Sequence, residues 1–483
     1  MRLAILGIRK YLYRLWNSPT FTSWTTIVTT FLNIGLLLPL ALTILPEGEF
    51  TLWLLFATVA NLQHLFTFGL APTFTRLIAY GLSGRNVLQM GSGRININIS
   101  RVNEKSLKLV SMTMHRLFVY AAIFSLVAAA TLGSLLIARP AGFSENVPQA
   151  WIAWSIFVVG SSMCLAGSGF GNYLMGLNKV ALLQRWQTGF GIAGVLVSAV
   201  VLVNGGGLIG VVVVTQLVAV AGVIRNLWLC RVVPHGAHAL HFGRKVDPDV
   251  WNVLWPASWR QGLAGIVYTG FINLSGLIYA QHADAAVLAA YLFVLRMVQT
   301  VGAFSQAPFY SRIPELAREF GSGSYDRVLQ IASICMKRSY WVYVAGIIIL
   351  AFAGNPLIEM LAKGRYILDV ELLALLGFGF YLERISGMNL QLVALANLIY
   401  GHVGAIVSTG INLLICFIFA SMLGIKAFAL GVIAGQILFL CPYSSHQTSM
   451  VYQINAFRYN AMCAAWPLFA ILISLGISIY IAS

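Results

Sequence analysis

The sequence predicts an all-α polytopic membrane protein with about 13 transmembrane helices, arranged as two parallel six-helix repeats followed by one more helix. Three observations support this fold class. Of the 483 residues, 59% are hydrophobic and 9% are charged, and the mean hydropathy is +0.83, whereas a soluble domain carries about 25% charged residues. Apolar runs of about 20 residues, each able to cross roughly 30 Å of hydrocarbon as a helix, recur along almost the whole chain. The third observation is an internal repetition.

Each apolar run is predicted to be one helical span. The runs lack the alternating polarity of β-barrel strands, which are only about 10 residues long. Their backbone polar groups must therefore be satisfied within helices. The predicted spans cover residues 20 to 44, 51 to 79, 112 to 138, 149 to 175, 182 to 203, 206 to 230, 250 to 280, 285 to 309, 330 to 354, 367 to 396, 401 to 423, 427 to 447 and 460 to 482.

The distribution of Lys and Arg predicts the orientation. These residues are concentrated in the N-terminal segment and in the connections after spans 2, 6 and 8, while the opposite connections hold only Arg139, Lys363, Arg365 and Lys426. The positive-inside bias places the N-terminus in the cytoplasm. An odd number of spans then places the C-terminus outside.

Basic loops also explain the net charge of +16. Anionic headgroups attract such loops, so the charge does not indicate a nucleic-acid partner. The first 16 residues, "MRLAILGIRKYLYRLW", mix basic and apolar side chains and are predicted to form a helix in the inner membrane interface. A cleaved signal peptide is not expected, because no small-residue cleavage site follows the first apolar run.

Two short motifs recur at almost the same offset. "APTFTR" at Ala71–Arg76 and "APFYSR" at Ala307–Arg312 are 236 positions apart. Trp16, Asn17 and Trp24 recur 235 positions later as Trp251, Asn252 and Trp259. A shift of six spans preserves membrane orientation, so the repeats are predicted to be parallel, with a substrate site in the cleft between two lobes that rock against each other. The predicted segments are residues 1–231 (N-terminal lobe), 232–249 (cytoplasmic linker), 250–447 (C-terminal lobe) and 448–483 (additional span).

A few charges fall deep within predicted spans. Arg260 and Arg296 lie about 10 and 11 residues into spans 7 and 8 from opposite sides, which places both near the middle of the membrane. A charge there costs at least about 2.5 to 3.5 kcal/mol unless it meets water or a partner. Glu383 is the one acid at similar depth, and it cannot neutralise Arg260, Arg296 and Arg384 together. Arg260 and Arg296 therefore indicate a wet cavity or an anionic ligand, with a structural pair or carbonyl contacts as the alternative, and for Arg384 the structural alternative is favoured.

Glu383 and Arg384 are neighbours on a helix, so their side chains are expected to point about 100° apart and not to form a same-face pair. Other polar residues at depth fit interhelical hydrogen bonds as well as ligand contacts, and aromatic side chains fit packing as well as stacking on sugars. The candidate substrate-binding residues are Arg260, Arg296, Arg384, Asn61, His64, Gln299, Trp24 and Tyr268.

Other motifs predict no catalytic, metal or cofactor site. "HGAHALH" supplies His235, His238 and His241, but histidines three apart in a loop without a nearby cysteine are not typical of a metal site. "GSGR" at residues 91–94 lacks the Lys-Ser/Thr of a phosphate-binding loop. The six cysteines include no CxxC pair and predict neither disulfides nor a metal centre.

The chain resembles the oligosaccharide (O-antigen and exopolysaccharide) flippase family of the multidrug/oligosaccharidyl-lipid/polysaccharide exporter (MOP) superfamily. The resemblance is carried by "EFTLWLLFATVANLQHLFTFGLAPTFTRLIAYG", Glu49–Gly81, and "YLFVLRMVQTVGAFSQAPFYSRIPELA", Tyr291–Ala317, and in span order covers roughly residues 15 to 447. That family often has an acidic residue two positions before the Gly-Leu of span 2, where this chain has Thr67. Its members commonly have 12 or 14 spans.

This resemblance implies a non-enzymatic flippase in a bacterial inner membrane. Its substrate would be a polyprenyl-pyrophosphate-linked oligosaccharide, moved from the inner to the outer leaflet, with a polysaccharide polymerase as a further partner and no cofactor. Paired arginines suit a pyrophosphate, because guanidinium groups bind its oxygens bidentately. A drug or cation exporter remains an alternative, although it would need acids in its cavity. A membrane-embedded polymerase or glycosyltransferase is the second alternative, although it would need a large outer loop or a carboxylate cluster.

Overall fold

A computed structural model of the chain describes residues 29, 32–67, 69–82, 103–243, 245–281, 284–321, 324–362, 369–396 and 401–482. The described residues form helices joined by short turns, and no strand occurs among them. The chain divides into two compact units, Met1–Leu263 and Ala264–Ser483. The predicted lobe and linker boundaries differ from this division and stay a prediction.

The first unit contains helices that account for predicted spans 1 to 6 and the start of span 7. Helix α1 comprises Asn33–Leu37 and Leu38–Ile44, α2 is Glu47–Leu65, α3 is Leu70–Leu82, α4 is Glu104–Ala141, α5 is Val147–Gly176, α6 is Val180–Val203 and α7 is Gly207–Val232. Helix α8 begins with Pro248–Gly265 and continues through Ile266–Gly270 and Phe271–Tyr279 into the second unit.

The second unit contains the remaining predicted spans. Helix α9 is Ala285–Tyr310, α10 is Ile313–Gly321, α11 is Tyr325–Ala362, α12 is Val370–Leu395, α13 is Gly401–Leu423, α14 is Lys426–Tyr452 and α15 is Ala456–Ala482. Within the described ranges, nine helices are long and apolar enough to cross a membrane. The all-helical polytopic architecture predicted from composition is therefore confirmed.

Span 2 differs from the prediction. Residues 51 to 79 were expected to form one span, but they belong to two helices, α2 and α3, separated by a turn. Gly69 lies in this turn with a φ of 68°, in the left-handed region that glycine adopts without a Cβ penalty. "APTFTR" therefore begins one residue after the start of α3. In contrast, "APFYSR" comprises the last four residues of α9 and the two-residue turn that follows it.

Polar residues at helix starts explain several boundaries. Asn103 Oδ1 accepts a hydrogen bond from Ser106 N (3.0 Å) at the start of α4, and Asn146 Oδ1 accepts one from Gln149 N (3.2 Å) at the start of α5. Asp369 Oδ1 does the same for Leu372 N (3.0 Å) at α12. These side chains satisfy backbone donors that have no partner within the first turn.

Glycines bring α5 and α7 close together. A Cβ at Gly160 would lie 2.7 Å from Gln216 Oε1, and one at Gly171 would lie 3.3 Å from Asn226 Nδ2. A Cβ at Gly167 would meet the side chain of Val223. Small residues at such contacts let helix backbones approach within a membrane, and here they fix the position of the Asn226 end of α7.

A buried polar network connects three helices of the second unit. Asn389 on α12 donates to Asn460 Oδ1 on α15 (3.1 Å) and accepts from Thr448 on α14 (3.1 Å). Asn460 in turn donates to Ser445 Oγ (2.9 Å). All four side chains are buried, so each hydrogen bond spares a polar group from facing hydrocarbon without a partner. Helix α15 is thus packed into the second unit.

Replacing Gly167 by Ala is expected to lower the free energy of unfolding by about 1 to 3 kcal/mol, because the added methyl group overpacks the contact with Val223. Gly189→Ala on α6 is the matched control, since a Cβ there meets nothing within 4 Å. Thermal unfolding of the purified variants in detergent measures the difference. Equal transition temperatures would contradict the close approach of α5 and α7.

Candidate functional site

Arg260 is an exposed residue of the first unit. It lies on α8, four residues after Pro256, whose missing N–H removes one backbone hydrogen bond from the helix. The guanidinium carbon of Arg260 lies 5.7 Å from the ring centroid of Trp259. A cation over an indole ring gains about 0.5 to 1 kcal/mol at an exposed site. The neighbouring aromatic residue therefore supports the guanidinium without neutralising it.

Arg296 is an exposed residue of the second unit, on α9. Its neighbours Leu295 and Met297 are buried, so the charge lies on the opposite side of the helix from the core. Ala303 and Tyr310 are also exposed and follow at intervals of seven residues. One face of α9 is therefore exposed along most of its length, with Arg296 as its charged residue.

Arg384 is largely enclosed, with 9% of its surface exposed. Its Nη2 forms an ion pair with Glu383 Oε1 at 2.9 Å, and its Nη1 donates to the Gly302 carbonyl at 3.4 Å. The amide oxygen of Gln306, in the orientation that satisfies both partners, accepts hydrogen bonds from Nη1 and, at 3.1 Å, from Nη2. The guanidinium therefore joins α12 to α9, roughly 9 to 15 Å along the helix from Arg296.

Glu383 and Arg384 were not expected to form a same-face pair, but an ion pair joins their side chains. Their Cβ atoms do diverge on the helix, but the long side chain of Arg384 folds back so that its end reaches the neighbouring carboxylate. In a buried setting, the ion pair offsets a desolvation cost of several kcal/mol per ion. Arg384 is thus engaged in an internal ion pair, whereas Arg260 and Arg296 are exposed.

Arg225 is a buried cation that the sequence analysis did not identify. It lies on α7, seven residues before Val232, and is 8% exposed. Its Nε and Nη2 both donate to Asn226 Oδ1, at 3.1 and 2.7 Å, and its guanidinium carbon lies 5.0 Å from the Phe190 ring centroid. Arg225 lies near the end of predicted span 6, where a basic residue is expected at the membrane–water interface.

Arg225 lines a cavity of about 390 Å³ in the first unit, whose wall combines apolar and polar side chains. Thr67, Ser168, Asn172 and Gln187 contribute further polar groups to the lining. Neither Thr67 nor any other described lining residue carries a carboxylate that could neutralise Arg225.

Carboxylates are also absent from the rest of this unit's helix interiors. The six acids of residues 1–263 are Glu47, Glu49, Glu104, Glu145, Asp247 and Asp249. All of them lie in helix-start turns or in connections. The described lining of the cavity consequently holds one cation, Arg225, and no acid.

The structure describes the side chains of only some of the other candidate residues. Asn61 on α2 and Gln299 on α9 are half-buried. The side chain of His64 and that of Tyr268 are outside the described part of the structure, as is Trp24 altogether. The backbone of Tyr268 lies in the π-helical segment Ile266–Gly270 of α8, a type of helix distortion that is frequent at functional sites.

Neither a scan against protein-family models nor a search of characterised proteins finds a match. Solved structures do match. An inward-facing multidrug resistance MATE family transporter of the MOP superfamily gives a TM-score of 0.58 at 12% identity, over 89% of this chain and 98% of that chain. The lipid II flippase MurJ, in an inward closed conformation, gives 0.58 at 12% identity, over 96% and 98%.

A third match is a MOP superfamily transporter from Pyrococcus furiosus, with a TM-score of 0.50 at 12% identity over 93% of this chain and 98% of that chain. The binding pocket of that transporter has a reversed polarity, which suggests that its function is different. The chain has the fold of MOP superfamily transporters. At these identities the likeness concerns the fold, and the substrate has to be argued from the residues of this chain.

Glu383→Gln is expected to lower the free energy of unfolding by about 3 to 5 kcal/mol, because it leaves the Arg384 charge buried without its carboxylate partner. Glu371→Gln is the control, since Glu371 pairs with Lys426 at an exposed position and such pairs contribute at most about 1 kcal/mol. Thermal unfolding in detergent compares the two. A Glu383→Gln protein as stable as the Glu371→Gln protein would show that the buried pair is not needed.

Proposed function

We propose that this protein is a flippase that moves a polyprenyl-pyrophosphate-linked oligosaccharide from the inner to the outer leaflet of a bacterial inner membrane. The observation that carries the proposal is the excess of uncompensated cations in its helices. Arg225, Arg260 and Arg296 have no carboxylate partner among the described residues, and Glu383 is already paired with Arg384. An anionic headgroup complements this distribution of charge.

A drug or cation exporter is the competing function, because multidrug transporters share the fold. A cationic substrate needs carboxylates, and two observations argue against them here. The first unit has no acid within its helix interiors, and the Glu383 carboxylate is engaged by Arg384. The Pyrococcus furiosus transporter supports the use of pocket polarity to separate functions on this fold.

The headgroup chemistry fits the available donors. A pyrophosphate presents several oxygens, each of which can accept hydrogen bonds from a guanidinium group in bidentate geometry. Arg260 and Arg296 are exposed and hold donors ready for such oxygens. Asn61, His64, Gln299, Trp24 and Tyr268 remain candidates for contacts with the substrate, and a polysaccharide polymerase remains a proposed partner for the product.

Arg260→Gln and Arg296→Gln are expected to reduce leaflet transfer of a labelled polyprenyl-pyrophosphate oligosaccharide by at least about tenfold, because each removes a charge-assisted contact that is worth about 1.5 to 3 kcal/mol. Transfer is measured in vesicles containing equal amounts of each variant. Arg327→Gln is the control, since Arg327 is exposed near the start of α11. Normal transfer by both variants would contradict a role of Arg260 and Arg296 in binding the headgroup.

Transfer is also expected to respond to membrane voltage. A headgroup with roughly two negative charges, moving outward through about 100 mV inside-negative, gains roughly 4 to 5 kcal/mol. Arginines fixed to the protein add no net charge movement over a full cycle. Collapsing the potential in vesicles should therefore slow outward transfer, and adding ATP alone should leave it unchanged. Transfer that ignores both potential and ion gradients would contradict this energy source.

A further inference from the structure

The connection between α7 and α8 contains a short 3₁₀ segment, Gly236–Leu240, with His235 at its start and His238 within it. A 3₁₀ helix has three residues per turn, so side chains three apart lie on the same side. His235 has a φ of 59°, a left-handed conformation that is uncommon for a residue with a Cβ. The backbone strain persists only where the surroundings hold the conformation in place.

Three contacts hold this connection in place. Tyr173 on α5 donates from its hydroxyl to the His235 carbonyl at 3.0 Å. His115 on α4 donates from Nε2 to the Ala239 carbonyl at 2.7 Å. A Cβ at Gly236 would collide with the Cys230 carbonyl, so only glycine allows the turn to pack there. The two imidazoles are therefore presented from a fixed backbone and not from a loose loop.

Glu104, the first residue of α4, completes a cluster with these histidines. The potential ligand atoms of Glu104, His235 and His238 all lie within 4.8 Å of one another. We propose that Glu104, His235 and His238 form a binding site for a divalent transition metal ion, for which Zn²⁺ is the best candidate. Two imidazoles and one carboxylate are a common set of three protein ligands for zinc, with water as the fourth ligand.

The geometry requires only a small adjustment. Tetrahedral ligands at 2.0 to 2.1 Å from zinc are roughly 3.3 Å apart, so the side chains must close in from the separations seen here. Glu104 and His235 are both exposed, which leaves their side chains free to change rotamer. His241 does not belong to the cluster. Its ring stacks on His238, with centroids 6.1 Å apart, and its Nδ1 faces the His238 carbonyl.

Metal binding at this site should depend on pH, because an imidazole binds a metal through the lone pair of its neutral form. Protons compete for that lone pair as the pH falls, so metal affinity should decrease on acidification.

The test uses the full-length protein without a histidine tag, purified in detergent and stripped of metal. Zn²⁺ is titrated by calorimetry, and bound zinc is counted by mass spectrometry after gel filtration. We expect one zinc per chain in the wild type at about pH 7, and weaker binding at about pH 5. His235→Ala and His238→Ala should each lower the affinity at least about tenfold, while His241→Ala should bind like the wild type.

Two additions keep the test decisive. Glu104→Gln, a conservative change at an exposed helix start, should weaken binding even if a histidine variant folds poorly. Co²⁺ in place of Zn²⁺ reports the ligand type, because thiolate coordination by any of the six free cysteines gives a charge-transfer band that imidazole and carboxylate ligands do not. Absence of zinc binding in the wild type, unchanged affinity in His238→Ala, or a thiolate band would each overturn the proposal.

Discussion

The cost of holding charge in a low-dielectric environment governs the arrangement of this chain. Only 9% of the residues are charged, and an ionised side chain within a helix span must find a partner, water or a ligand. Arg384 forms an ion pair with the Glu383 carboxylate and donates hydrogen bonds to the Gly302 carbonyl and the Gln306 amide. Arg225 contacts an amide and a phenyl ring and lines a cavity, but no described carboxylate pairs with it. Arg260 and Arg296 remain exposed. The proposed selectivity for an anion follows from this excess of arginines over the acids that could pair with them.

Close helix packing makes the arrangement possible. The glycines of α5 allow α7 to approach, which places Asn226 and Arg225 at the cavity. In the second unit, side-chain hydrogen bonds among Asn389, Thr448 and Asn460 hold helices together where hydrophobic burial provides little driving force in lipid.

Much of this fold follows from the sequence. An apolar run long enough to cross a membrane satisfies its backbone hydrogen-bonding groups most readily as a helix. All thirteen predicted runs contain helix in the described structure. The break at Gly69 was missed, because a single glycine in an apolar run does not change its hydropathy. Arg225 was missed because distance from a span end was used as a measure of depth. The Glu383–Arg384 pair was missed because helical angles describe Cβ directions and not the reach of a long side chain.

The most direct measurement of the central claim compares substrates that differ only in headgroup charge. Vesicles containing the protein are loaded with one labelled polyprenyl oligosaccharide linked through a pyrophosphate, through a single phosphate or through an uncharged linkage, and with a cationic drug in a parallel set. The account predicts that transfer falls from pyrophosphate to phosphate to the uncharged lipid, and that the drug is not exported. Equal transfer of the charged and uncharged lipids, or export of the drug alone, would contradict it.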